Sequence, residues 1–230
     1  MSCCEFITFS WSLVTHNCSK CPLMNLPRCL FGSSSLGEIA IVAGGSDKNG
    51  NVLQSAELYN SEVGTWQTLP DMNFPRKLCS EFFMDGKFYY NIETRSWRRI
   101  ENMYPGRDAG TYHPAMRSPP LVAVVNNQLY SADQATNEVK KYDKVNNSWS
   151  VVKRLPVRAD SSYGWGLAFK ACGNSLLVIG AGGHGGHDDG VIVLHSWNPE
   201  EGNRDGQEWN VLAVKARAGA FVYYCALMGC

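Results

Sequence analysis

The stretch IAIVAGGSDKNGNVLQSAELYNSEVGTW, Ile39 to Trp66, decides how the rest of the chain is read. Its β-branched apolar run, Ile39 to Val42, ends in the diglycine Gly44-Gly45. A polar, turn-rich loop over Ser46–Ser55 follows, then the short run AELY with Tyr59, a second turn over SEVG, and Trp66. Leu69-Pro70 closes the phrase. Apolar and aromatic runs bounded by Gly, Asn and Ser predict strand, loop, strand, tight turn, strand.

Worked outward, the phrase recurs. Toward the N-terminus, CEFITFSWSLVTHNC predicts a strand from Glu5 to Leu13, a turn at Thr15 to Asn17, then Cys18. Trp11 falls where Tyr59 does and Cys18 where Trp66 does, and Cys18 and Trp66 are 48 residues apart. A second unit opens at Arg28 and a third at Arg76, where KLCSEFFM, an Asp85-Gly86 hairpin turn and KFYY run straight into NIETRSW. That third unit has no diglycine. Trp97 lies only 31 residues after Trp66, so about one and a half strands are expected to be missing against a ~50-residue period. The fourth unit reads LVAVV, an Asn126-Asn127 turn, QLYSA, EVKKYD and Trp149; Tyr142 and Trp149 keep the seven-residue offset of Tyr59 and Trp66. The fifth reads GWGLAFKACG, SLLVIGAGG with Gly182-Gly183, VIVLHSW and EWNVL, with Trp197 and Trp209 at the aromatic positions and a polar insert, PEEGNRDGQ, between them. The units lie near residues 1–27, 28–75, 76–105, 119–157 and 163–215, and a last apolar run over 219–228 is expected to be a closing strand that shares a blade with residues 5–24.

Four strands per repeat at this period predict an all-β chain, a β-propeller of about five four-stranded blades, incomplete because its first blade is truncated and its third shortened. Gly44-Gly45 and Gly182-Gly183 are expected where a strand leaves its blade, since glycine allows positive φ and close backbone approach. Tyr59, Trp66, Trp97, Tyr142, Trp149, Trp197 and Trp209 are expected to fill the wedge between twisted blades. Each buried ring removes roughly 150–250 Å² from water, of order 4–6 kcal/mol as an upper bound.

Diglycine, spaced Tyr and a Trp seven residues on resemble the kelch repeat. More specifically, MNLPRCLFGSSSLGEIAIVAGG, SAELYNSEVGTW, FFMDGKFY, PPLVAVVNN, VKKYDKVNNSW and SSYGWGLAFKACG, in that order along nearly the whole chain, resemble the kelch region of plant F-box/kelch-repeat proteins. The chain departs from that pattern in three ways: Cys18 replaces a Trp, the third unit lacks its diglycine, and no F-box precedes the repeats in these 230 residues. The resemblance implies a protein-interaction module, the substrate-recognition part of an SCF-type ubiquitin ligase subunit. Cullin-adaptor binding would need the F-box.

Composition narrows the partners. Lys+Arg and Asp+Glu both number 21, for a formal net charge of +0, so neither nucleic acid nor a membrane is the expected partner. No apolar run reaches the roughly 20 residues that span a bilayer. The opening MSCCEFITFSWSLV lacks a basic n-region and a cleavage site. Nine scattered Cys read as free thiols in a reducing compartment, which places the protein in the cytoplasm or nucleus.

The constellations that could carry chemistry have simpler readings. Cys18-Ser-Lys-Cys21 has too few neighbours for a four-ligand zinc site. His184, His187, Asp188 and Asp189 in GGHGGHDDG read as a flexible inter-strand loop rather than a metal site. The alternative function, a kelch-propeller oxidase, needs copper held by Tyr and His from separate blades and a cross-linked Cys. Three of the five His (His184, His187, His195) lie in or just after one loop, so no catalytic, metal or cofactor site is assigned. A further alternative is a truncated product without function. Arg28, Arg76 and Arg158 stand before inner strands, where a guanidinium can fork onto a partner's carboxylate. They are the candidate partner-binding residues, with the Ser46–Ser55 loop.

Overall fold

The computed structural model describes residues 9–11, 18–85, 87–88, 90–91, 96–97, 118, 120–159, 165–182, 191–201 and 208–216. Among them it holds eighteen strands and no α-helix. The strands form antiparallel meanders in which sequence neighbours pair. The fold is all-β and built of kelch-type propeller blades.

Two compact units are distinguished, Met1–Arg99 and Ile100–Met228. In the first unit, β1 (Phe9–Trp11) pairs with β2 (Cys18–Lys20), setting Trp11 opposite Cys18. The second sheet is β3 (Gly32–Leu36), β4 (Ile39–Ala43), β5 (Ala56–Asn60) and β6 (Thr65–Leu69). The third is β7 (Phe83–Met84), β8 (Lys87–Phe88), β9 (Tyr90–Asn91) and β10 (Ser96–Trp97). The expected loss of a strand and a half from this blade is corrected here. All four strands are present, each cut to two residues, and Phe88 pairs with Tyr90. An antiparallel ladder survives on very few pairs, so the short sequence thins every strand instead of deleting one.

In the second unit the fourth sheet is β11 (Leu121–Val125), β12 (Gln128–Asp133), β13 (Glu138–Asp143) and β14 (Ser148–Arg154). The fifth is β15 (Ala168–Cys172), β16 (Ser175–Gly182), β17 (Val191–Trp197) and β18 (Asn210–Ala216). Asn126 and Asn127 have φ of 47° and 61°, the left-handed pair that a two-residue type I′ hairpin requires, and Val125 accordingly faces Gln128. The run over 219–228, the Thr15–Asn17 turn and Gly183 lie outside the described residues.

The cores lie between neighbouring blades. In the first unit Ile41, Ala43, Ala56, Leu58, Leu69 and Met72 form a buried cluster, against which Phe83 and Trp97 of the third sheet pack. In the second unit, residues of the fourth sheet (Val125, Tyr130, Val139) and the fifth (Phe169, Val178, Trp197) share one cluster, with Trp209 against it. The apolar middle strands are buried for this reason, whereas β18, at the sheet edge, is exposed at every position.

Candidate functional site

The aromatic offset is a cross-strand pair. Tyr59 lies opposite Trp66 and Tyr142 opposite Trp149, with ring centroids 5.0 and 5.2 Å apart. Trp197 and Trp209 make the same pair at 5.8 Å. All three are tilted contacts in the range where ring quadrupoles attract. The indoles also do something that spacing did not reveal. Trp66 Nε1 donates to the Pro22 carbonyl at 2.9 Å, Trp97 Nε1 to that of Pro70 at 2.6 Å, and Trp209 Nε1 to that of Arg154 at 2.8 Å. Each acceptor follows or ends the outer strand of the preceding blade. The outer-strand Trp is therefore an inter-blade tie as well as a filler, a role open to Trp but not to Phe.

The diglycine has an equally specific cause. Gly44 and Gly45 have φ of 65° and 93°. A Cβ on Gly44 would lie 2.3 Å from the Arg76 carbonyl oxygen, and one on Gly45 would lie 2.4 Å from that of Cys29. Backbone from the lead-ins to two successive blades closes on this point, with Gly45 N donating to Arg76 O at 2.7 Å. Gly182 does not repeat the arrangement. Counted from the aromatic pair (Ala40 opposite Tyr59, Leu176 opposite Trp197), Gly44 corresponds to Gly180, and β16 runs on to Gly182 in extended conformation. A Cβ on Gly180 would meet Val157 at 2.8 Å, and one on Gly182 would meet Val193 at 2.4 Å. These glycines make room for side chains, not for a passing backbone.

The three arginines part ways. Arg28 is 1% exposed and so is withdrawn as a partner contact. Its Nε donates to Leu26 O, Nη1 to Gly44 O and Ser55 O, and Nη2 to Ser55 Oγ and Glu57 Oε1. Those five bonds use every N–H of the guanidinium. The Arg28–Glu57 ion pair closes at 2.7 Å with both side chains buried. Glu57 in turn accepts from Asn25 N at 2.7 Å and Leu26 N at 2.9 Å. Arg76 and Arg158 are exposed.

The Ser46–Ser55 loop is rigidly held at its base and open at its tip. Ser46 pairs with Cys29 and Val52, Leu53 N donates to Gly45 O, and Arg76 N donates to Leu53 O. Asp47 Oδ1 accepts from Asn49 N and Asn51 N, and its Oδ2 from the Asn51 amide; the Asn51 bond is the main cause holding this carboxyl below its ordinary pKa. Lys48, Asn49, Asn51 and Val52 are exposed, as are Phe74, Arg76 and Lys77 of the adjoining lead-in.

The chemistry-bearing clusters give less. His184, His187, Asp188 and Asp189 lie outside the described residues. His195 is on β17, buried, with Nδ1 unpartnered, and burial lowers its pKa. Cys21 is a free thiol. Sequence reading passed over Glu81, whose Oε2 is sealed from solvent without a partner. Cys79 Sγ donates to its Oε1 at 3.8 Å. Burial pushes the Glu81 carboxyl up to about 8 and the Cys79 thiol up to about 11. No periodicity marks such a residue.

This architecture defines a kelch-repeat chain, and the Kelch motif family matches residues 27–73. F-box/kelch-repeat protein SKIP11 of Arabidopsis thaliana is 50% identical over 97% of this chain and 51% of its own length. Two further F-box/kelch-repeat proteins of that plant are each 44% identical, over 98% and 97% of this chain and 58% and 55% of theirs. The chain is similar to these plant F-box/kelch-repeat proteins over nearly its whole length and spans about half the length of the curated relatives it matches. The alignments run to 245, 249 and 252 positions although the chain has 230 residues. The relatives therefore carry residues that this chain lacks within the matched span, in keeping with its thinned third blade.

Proposed function

We propose that the chain is a non-enzymatic protein-interaction module, and that it serves as the substrate-recognition part of an SCF-type ubiquitin ligase subunit in the cytoplasm or nucleus. Kelch blades are the part of an F-box/kelch-repeat protein that faces a target; cullin-adaptor docking belongs to an F-box and not to the residues described above. The observation that carries the reading is the hydrogen-bonded frame of Cys29, Gly45, Ser46, Leu53 and Arg76. It holds an exposed loop bearing Lys48, Asn51 and Val52 in place. Loops on a rigid scaffold are where recognition concentrates, and a pre-ordered loop loses little entropy on binding.

The test is quantitative capture of cross-linked partners by the 230-residue chain and by a Lys48→Ala, Asn51→Ala, Val52→Ala variant that leaves the frame intact. A specific set of proteins retained by the first and lost by the second is expected, with ubiquitination of those proteins once an F-box is fused upstream. An identical set from both would overturn the assignment of the loop. Stoichiometric copper in the purified chain would favour the oxidase alternative instead.

A further inference from the structure

The chain contains a five-residue phrase twice with four of five residues alike, MNLPR at Met24–Arg28 and MNFPR at Met72–Arg76, 48 residues apart. The likeness extends to the backbone: the second residue after each phrase, Leu30 and Leu78, has φ of 55° and 53°. In the first copy, Asn25 N, Leu26 N and Arg28 Nη2 converge on one carboxylate, that of Glu57, at 2.7, 2.9 and 2.7 Å. We propose that the second copy is a carboxylate-receiving site, formed by the backbone N–H groups of Asn73 and Phe74 with the Arg76 guanidinium, and that it takes an acidic side chain of a protein partner.

The difference between the copies lies in the blade that follows each. Glu57 stands two residues before Tyr59, whereas the residue two before Tyr90 is Phe88. The Gly44 and Ser55 carbonyls that hold the first guanidinium also have no counterpart, because the third unit lacks the diglycine and its loop. Arg28 is accordingly buried and Arg76 exposed. Among the described residues, Asn73 N, Phe74 N and the Arg76 side chain have no acceptor. The loop that carries them is nevertheless held on both sides, by Met72 N to Gln54 O at 2.9 Å and Arg76 N to Leu53 O at 3.1 Å. Two backbone donors and a guanidinium are a match for a carboxylate and a poor one for a neutral amide. Lys77 adds positive charge, and Phe74, 55% exposed, offers apolar contact to the residues flanking the acid. The proposal rests on the interaction-module reading and names the ligand chemistry of one of its anchors.

The experiment uses the whole ¹⁵N-labelled chain. The probe is an acetylated, amidated peptide SAELYN, the sequence of Ser55–Asn60 that carries the native occupant of the first copy, alongside the same peptide with Gln in place of Glu. Saturable shifts of the Asn73 and Phe74 amides with the acidic peptide are expected, while Asn25 and Leu26, already occupied, stay still. The Gln peptide, or the Arg76→Ala chain, should bind at least about tenfold more weakly. Arg76→Ala alters an exposed side chain, and an otherwise unchanged spectrum verifies its fold. Equal response to both peptides, or undiminished binding by Arg76→Ala, would overturn the proposal. So would a preference for the Gln peptide with a free C-terminus, which would assign the site to a main-chain carboxylate. A silent titration removes this anchor and leaves the capture experiment above to decide the wider reading.

Discussion

Replacing Glu81 by glutamine is expected to stabilise the protein at neutral pH. The carboxyl leans over Gly32, where an added Cβ would sit 2.4 Å from Glu81 Cδ. Its Oε2 is sealed without a partner, and the Cys79 thiol donates to Oε1 at 3.8 Å. Burial outweighs the opposing pull of the Cys79 hydrogen bond and the Arg28 charge, and the carboxyl rises from 4.5 to about 8. A raised folded-state value means that the native protein keeps a proton which the unfolded chain has already released. Stability is then fullest below 4.5, falls as pH rises from 4.5 toward 8, and levels off above. Each pH unit in that window costs about 1.4 kcal/mol, so at pH 7 the penalty is about 3 kcal/mol as a ceiling, since entering water would soften it.

Glutamine has the shape of the neutral acid and no proton to release, so the variant should escape the penalty. Urea unfolding of both proteins at pH 5, 6, 7 and 8 is the assay, and the informative quantity is the difference between them. It should be small at pH 5 and widen steadily toward pH 8. Cys79, pushed up to about 11, stays protonated throughout. His195, lowered by burial, costs stability as pH falls through its ordinary range, but equally in both proteins. A difference that stays flat with pH would refute the reasoning and show Glu81 to be ionised in the folded state.

Gly44→Ala is expected to cost about 2–4 kcal/mol in denaturant unfolding, because it combines a positive φ with a Cβ 2.3 Å from the Arg76 carbonyl; Gly37→Ala, at similar φ but with open space, should cost only about 1. Trp209→Phe keeps most of the ring burial and loses the bond to Arg154 O, so a thermal scan should register about 1–2 kcal/mol. Arg28→Met leaves Glu57 buried without its cation, at a cost of about 3–5 kcal/mol by chemical denaturation. Adding Glu57→Leu should give a total below the sum of the single losses, because the two residues form one network.

The fold was legible because its signals are local. The seven-residue offset of Tyr59 and Trp66 is what a short outer hairpin imposes when the two rings face each other, and the same counting set Trp11 opposite Cys18. The Asn126-Asn127 turn was legible from the residues that tolerate left-handed backbone. What escaped depends on partners far along the chain. Arg28 looked like Arg76, and the Glu57 carboxylate with the Gly44 and Ser55 oxygens, far along the chain, holds Arg28 buried. Gly182-Gly183 looked like Gly44-Gly45, yet the register of β16 moves the matching position to Gly180. The indole donors to Pro22, Pro70 and Arg154 left no trace in spacing, since their acceptors are carbonyls that every residue carries.

Two copies of one phrase in one chain make a controlled comparison that a single copy cannot. MNLPR and MNFPR share four of five residues and a left-handed leucine two residues on, so the phrase alone does not account for their different fates. They come from the blade that each phrase introduces. The second blade returns an acid, Glu57, and the Gly44 and Ser55 carbonyls to Arg28, and there the phrase becomes a rivet: buried and fully bonded. The thinned third blade has Phe88 where the second has Glu57, and Arg76 is exposed. Shortening a repeat therefore does more than weaken a blade. If the proposed site takes an acid, the shortening turns an internal fastening outward, toward an acid of another protein.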